Sequence, residues 1–209
     1  MAPKKIIILR HGEKADAYAL CSTGQRRSIA LAEQYLGKNP SNALFRDDTI
    51  DAFFAITLHT IELAAPSAQS WRLPVRAYTA LPLDAPYDDP ENPYGESQFV
   101  LDTRTKEAVK DLQRDKWEDK TIVMVWEHKH IAHKDQAESL RNLLGLEDAP
   151  DSWHGENFDY FWIVTYDKSG KPVFQSVKQT YDGAYNDLPQ NDWGVPPTGM
   201  GADCRSPSS

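Results

Sequence analysis

The apolar positions of this chain fall into blocks with two different periods. "KIIIL" (5–9), "IDAFFAIT" (50–57) and "KTIVMVW" (120–126) are runs rich in β-branched and aromatic residues, apolar with little or no break. Such runs predict strands covered on both faces, as in a parallel sheet. "VRAYTAL" (75–81) alternates in the manner of a fourth strand. "DYFWIVTYD" and "KPVFQSVKQTY" (within 159–181) predict a hairpin around "KSGK".

Between the strands the period changes. In "STGQRRSIALAEQYLG" (22–37), Ile29, Ala32 and Leu36 fall at helical spacing, Ser22 or Thr23 can cap the start and Gly37 can end it. "LHTIELAAPSAQSW" (58–71) predicts a helix, with Pro66 a point where it can break. Residues 97–115 predict a helix charged on one side, and 133–145 a helix stopping at Gly145. The Pro- and Asp-rich stretch 84–96 is long enough for a substrate loop or lid. From Asn186 onward Pro, Gly and Ser predominate, which predicts an extended tail.

Strands alternating with helices imply an α/β fold: a three-layer α/β/α sandwich with a mainly parallel central sheet. We expect one domain over residues 1–185 and a C-terminal tail over 186–209. In such sheets ligands bind at the carboxyl ends of the strands. Two strand ends carry conspicuous chemistry. One is "RHGEK", residues 10–14, and the other is "EHKHIAH", residues 127–133.

Composition adds bounds. A chain of 209 residues is long enough for one domain with a sizeable core. Its net charge of -8 argues against a nucleic-acid or anionic-membrane binder, although a small basic pocket stays compatible with it. No apolar run approaches the ~20 residues of a membrane span. The basic start "MAPKK" precedes an apolar stretch too short for a signal peptide. Cys21 and Cys204 do not make a disulfide framework, so a reducing, cytoplasmic setting is expected.

Arg10 offers a planar fork of donors matched to phosphate or carboxylate. His11 is a nucleophile, base or ligand by type, and Gly12 allows backbone to come close to an anion. A lone "RHG" also reads as an ordinary turn with a satisfied histidine. Its place at a strand tip, before a capped helix, favours a site.

"ILRHGEKAD" followed by "LCSTGQRRSIALAEQYLG" resembles the histidine phosphatase superfamily, the phosphoglycerate-mutase-like proteins. That family carries Arg-His-Gly after its first strand and an L-T-x-x-G helix start, which Leu20, Ser22, Thr23 and Gly24 approximate. "TIVMVWEHKHI" is similar to the family's strand that ends in a second catalytic histidine, here His128.

The resemblance implies that His11 is the nucleophile, forming a phosphohistidine. Arg10 and His128 would hold the phosphoryl oxygens, with Gly12 at the phosphate. It implies no cofactor and no metal, and a small phosphorylated substrate or inorganic phosphate as partner. Where the family has a second pocket arginine, this chain has His59, whose help would depend on its being protonated. The acid that protonates the leaving oxygen would be Asp84, or failing that Glu96, in a loop that also offers Asp88, Asp89 and Glu91. Phosphatase and mutase activities both fit.

Two rivals come from other classes. His128, His130 and His133 form an H-x-H-x-x-H pattern resembling the first zinc motif of metallo-β-lactamase-like hydrolases, but Ala132 stands where that family has aspartate and His154 is the one later histidine. A catalytically impaired phospho-ligand binder on the same fold is the other. Glu13 and Lys14 fit a pocket entrance and surface charge equally. Strand alternation would point Glu127 and Lys129 away from His128. The aromatics Trp71, Trp117, Trp126, Trp153, Phe161 and Trp162 are expected in the core.

Overall fold

The structure, a computed structural model, describes residues 2–80 and 98–206. Its elements are β1 (Lys5–Arg10), α1 (Ser22–Leu31), β2 (Ile50–Ala55), α2 (Leu58–Trp71), β3 (Val75–Ala77), α3 (Gln98–Leu112), β4 (Thr121–Trp126), α4 (His128–Ile131), α5 (Leu140–Leu143), β5 (Tyr160–Tyr166) and β6 (Pro172–Lys178). The six strands form one sheet in the order β3-β2-β4-β1-β5-β6. The first four are mutually parallel, and β5 and β6 add an antiparallel hairpin beside β1.

The unbroken apolar runs have the predicted cause: both faces of the central strands are covered. Ile7, Leu9, Phe53, Val123 and Val125 face one core, shared with Leu31 of α1 and Leu63, Ala64 and Ala68 of α2. Ile6, Ile8, Phe54, Ile122 and Met124 face the other, shared with Leu101, Ala108 and Leu112 of α3 and Leu140 of α5. The result is the expected three-layer α/β/α arrangement. Trp126, Phe161 and Trp162 are fully buried in it. Among the described residues no helix is long and apolar enough to cross a membrane.

Several expectations need correction. Pro66 lies inside α2 without ending it. The helix is held at its start by a reciprocal cap between Thr57 and Thr60 and along its length by buried Leu63, Ala64, Ser67 and Ala68. Tertiary packing there outweighs the ~3 kcal/mol by which an internal proline disfavours a helix. Residues 133–145 form only one helical turn. Ser139 accepts a hydrogen bond from the Asn142 amide and so starts α5 late, at Leu140. β3 is shorter than its alternating pattern, yet the amides of Tyr78 and Ala80 still donate to Ala55 and Ile56, both at 2.8 Å.

The segment after Asn186 is bound down along its length. Leu188 is buried, the Pro189 carbonyl accepts from Arg27 at 2.9 Å, and the Asn191 amide donates to Asp159 at 3.0 Å. Further on, Asp203 accepts from both the backbone and the hydroxyl of Ser22, at 2.8 and 2.7 Å. There Cys204 is disulfide-bonded to Cys21, 183 residues away in sequence. The two cysteines are therefore a pair, brought together as the segment crosses the start of α1. A single distant pair leaves no spacing pattern to read. Such a bond persists in an oxidising setting, not the reducing one expected.

Candidate active site

Strand register decides what meets at the sheet's carboxyl edge. Arg10 pairs with Trp126, and Ala55 pairs with Val125. The residues just beyond β1, β2 and β4 therefore emerge together: His11, His59 and His128. Because β5 runs the other way, the residues before it, 154–158, reach the same edge.

His11 is held by its own neighbours. Its amide donates to the Trp126 carbonyl at 3.1 Å. Its Nδ1 lies 2.8 Å from the Gly12 carbonyl. A carbonyl can only accept, so Nδ1 carries the proton and Nε2 carries the lone pair. That Nε2 lies 3.1 Å from an Arg10 guanidinium nitrogen. Burial, then the charges of Lys14 and Arg10, hold the His11 pKa well below the ordinary range. The ring is neutral, with its lone pair on Nε2.

Arg10 is 2 % exposed. One of its terminal nitrogens donates to the Gly155 carbonyl at 2.5 Å and lies 3.4 Å from those of His154 and Asn157. The guanidinium sits 4.0 Å over the Phe158 ring. This frame fixes its plane with the other terminal nitrogen toward His11.

His128 opens α4, with its ring centroid 5.8 Å from that of His11. Its Nδ1 lies 2.6 Å from Glu127 Oε1, an approach too oblique for a well-directed hydrogen bond but close enough for charge to act. Its Nε2 is buried without a hydrogen-bond partner among the described residues. Burial first, opposed by Glu127 and assisted by Arg10 and Lys14, lowers its pKa to about 4.

His59, on the first turn of α2, has its ring 6.2 Å from that of His11. Its Nε2 donates to the Asp16 carbonyl at 2.7 Å. Burial, then the Lys14 charge, lowers its pKa to about 3. A protonated His59 standing in for an arginine is thus not what this environment favours near neutral pH: the ring is neutral and tied to the loop after β1. Lys14 is buried, and its charge acts on all three histidines.

Gly12 and Gly24 have packing reasons. A Cβ on Gly12 would lie 3.1 Å from Leu63 Cδ1 and 3.3 Å from Gly24 Cα. A Cβ on Gly24 would lie 2.3 Å from the Glu13 carbonyl oxygen. The RHG loop and the start of α1 are pressed together there. Next to this contact Glu13 is fully buried and accepts from Arg27 Nε and Nη2, at 3.0 and 2.6 Å. Sequence reasoning missed this pair, since a loop residue and a helix residue 14 positions apart share no periodicity. Glu127 was missed as a partner of His128 because the chain turns helical at His128, which ends strand alternation. Asp84 and Glu96, with Asp88, Asp89 and Glu91, lie outside the described residues.

The zinc-like pattern does not assemble. His130 Nε2 turns to Asp102 at 2.8 Å and His133 Nδ1 accepts from the Asp135 amide at 3.3 Å. Among the described residues, His11, Glu127 and His128 do bring one ligand atom each within 4.8 Å of one another. The Arg10 guanidinium beside His11 Nε2 disfavours a cation at that point.

No protein-family model and no curated protein matches the chain. Among solved structures it is similar to one described as mycobacterial hydrolase 1, with a TM-score of 0.51 and 16% identity, over 86% of this chain and 99% of that one. A mycobacterial glucosyl-3-phosphoglycerate phosphatase gives 0.48 and 14%, over 86% and 100%. The product of a Mycobacterium tuberculosis open reading frame gives 0.45 and 14%, over 84% and 97%. In its layers and its mainly parallel sheet, with two histidines at one edge, the chain shares the fold of mycobacterial hydrolase 1.

Proposed function

We propose that this protein is a phosphatase acting on a small phosphate ester through a phosphohistidine at His11. The observation that carries the reading is the state of His11. Its Nδ1–H is committed to the Gly12 carbonyl, and its bare Nε2 sits between Arg10 and His128. A phosphoryl group entering there takes the Arg10 N–H with one oxygen and presents phosphorus to the lone pair. Nε2 bonds to phosphorus as the P–O bond to the leaving group breaks. Donors around the equatorial oxygens offset their charge in the transition state. The leaving oxygen takes a proton from a carboxylic acid, for which Asp84 and then Glu96 are the candidates. Water then attacks phosphorus, gives its proton back to that carboxylate, and frees His11 and inorganic phosphate.

A phospho-ligand binder without turnover is the second reading. It is favoured by one observation: an Arg10 nitrogen and His59 Nε2 are both spent on backbone carbonyls. The deciding experiment is phosphate release from p-nitrophenyl phosphate with acid-quench trapping of labelled phosphoenzyme. Turnover and label that vanish in His11→Ala, with a drop of at least about 100-fold in Asp84→Asn or Glu96→Gln, support the enzyme. Phosphate that raises the melting temperature with no release and no label supports the binder.

A further inference from the structure

Behind His128 runs a line of polar groups that the reaction scheme leaves unused. Glu127 stands between two histidines: Oε1 lies 2.6 Å from His128 Nδ1, and Oε2 lies 3.1 Å from His130 Nδ1. Oε2 also accepts from the His130 amide at 3.1 Å, which fixes the carboxylate in the α4 turn. On the far side, His130 Nε2 lies 2.8 Å from Asp102 Oδ1, on α3. Gln136 donates to the same Asp102 oxygen at 2.5 Å, and the Gln98 side-chain nitrogen, which donates to Gln136 Oε1 at 3.0 Å, also lies 3.0 Å from His130 Nε2.

An imidazole with a carboxylate oxygen at each nitrogen keeps both protons, since a neutral ring would turn a lone pair toward one of them. His130 is fully buried, which opposes its charge, but Glu127 and Asp102 outweigh that and raise its pKa. Asp102, His130 and Glu127 then carry charges of −1, +1 and −1. The net negative charge ends on the Glu127 oxygen that faces His128. The charges acting on His128 from the other side are Arg10 on β1 and Lys14 in the following loop, with the neutral His11 ring alongside.

These opposed surroundings leave His128 neutral in the empty pocket. The Glu127 charge 2.6 Å from Nδ1 favours the single proton there, without a well-directed hydrogen bond, and leaves the lone pair on Nε2. A phosphoryl oxygen arriving at Nε2 requires a donor there. We propose that Asp102, His130 and Glu127 form a positioning relay that keeps a proton on His128 Nδ1 and supplies the negative charge against which His128 takes a second proton when phosphate binds. None of the three touches the reacting atoms. Their role in turnover rests on the phosphatase reading, whereas the charge state of His130 does not.

Two measurements test it. In the full chain labelled with ¹⁵N-histidine, His130, assigned by loss of its signals in His130→Gln, keeps an imidazolium signature above pH 7. Asp102→Asn moves that titration to lower pH. A His130 that titrates near ~6.5 with or without Asp102 overturns the relay, whatever the activity. In the pH–rate profile on p-nitrophenyl phosphate, the alkaline limb reports His128 in the complex. Glu127→Gln moves it to lower pH by about one unit or more, the effect of losing a charge at this range, and Asp102→Asn moves it less in the same direction. Variants whose profiles superimpose on the wild type after scaling also overturn it. A wild type that releases no phosphate ends the phosphatase reading and leaves the His130 titration to decide the relay.

Discussion

His59 shows how a side chain of the right kind in the right place can do something other than its type suggests. It lies at the pocket, but its Nε2 bonds the Asp16 carbonyl and burial keeps it neutral. The cost appears in stability. With folded values lowered to about 3 and about 4, His59 and His128 stay neutral where the unfolded chain takes up protons below 6.5. The unfolded state binds more protons, so stability is complete above that value and falls as pH drops toward the folded values. His130 has the opposite sign: its raised value contributes stability that is present below 6.5 and lost as pH rises through its folded value. The lowered group is larger, His11 included, so acid should destabilise the protein. From pH 6.5 to 5 each neutral histidine contributes a loss of about 2 kcal/mol. Melting curves from pH 7 to 5 should fall, and His59→Gln, whose amide can still reach Asp16, should flatten the fall. A curve unchanged by His59→Gln would show that His59 is not buried neutral. At this scale His11, Arg10 and His128 were legible because each ends a buried strand. Glu127 was not, because the backbone changes from strand to helix at the residue that matters.

Among the elements, α1 is the one whose start matters most to the site. Glycine at the third position of a helix is ordinarily a weakness, and alanine there should stabilise by about 0.5–1 kcal/mol. At Gly24 the sign should reverse, because the added carbon would meet a backbone oxygen 2.3 Å away that no rotamer change can move. Gly24→Ala is expected to cost about 1–3 kcal/mol in denaturant unfolding and to lower any activity by pushing on the RHG loop. A stabilised variant would mean that the loop and helix are not in close contact. Most of the long elements were readable from period alone: β1, β2, β4 and α2 fall where the apolar spacing puts them, whereas α1 starts as expected but passes into a π-helix at Ala32, with Ile29 exposed rather than on its apolar face. The segment between β4 and β5 was not. Its polar side chains, Ser139 and Gln136 among them, bond locally or to α3 and reduce the helix expected over 133–145 to the single turn of α5.

At the scale of the whole molecule, the segment after Asn186 acts as a strap across α1. Its far end is fastened by Cys204 to Cys21, closing a loop of 183 residues in sequence separation. Closing so long a loop restricts the unfolded chain, so Cys204→Ser or full reduction should cost about 2–5 kcal/mol. Limited proteolysis of the reduced protein should cut first beyond Asn186. Equal melting temperatures with and without reductant would show that the bond adds no stability. The strand order carries a consequence of another kind, in time. β1, which ends in the pocket histidine, lies between β4 and β5, and the His11 amide is satisfied by the Trp126 carbonyl. During synthesis at about 5–20 residues per second, the 116 residues that separate Arg10 from Trp126 take roughly 6–23 s to appear. Through that interval an isoleucine-rich strand has neither neighbour, and a nascent chain stalled before β4 cannot place His11.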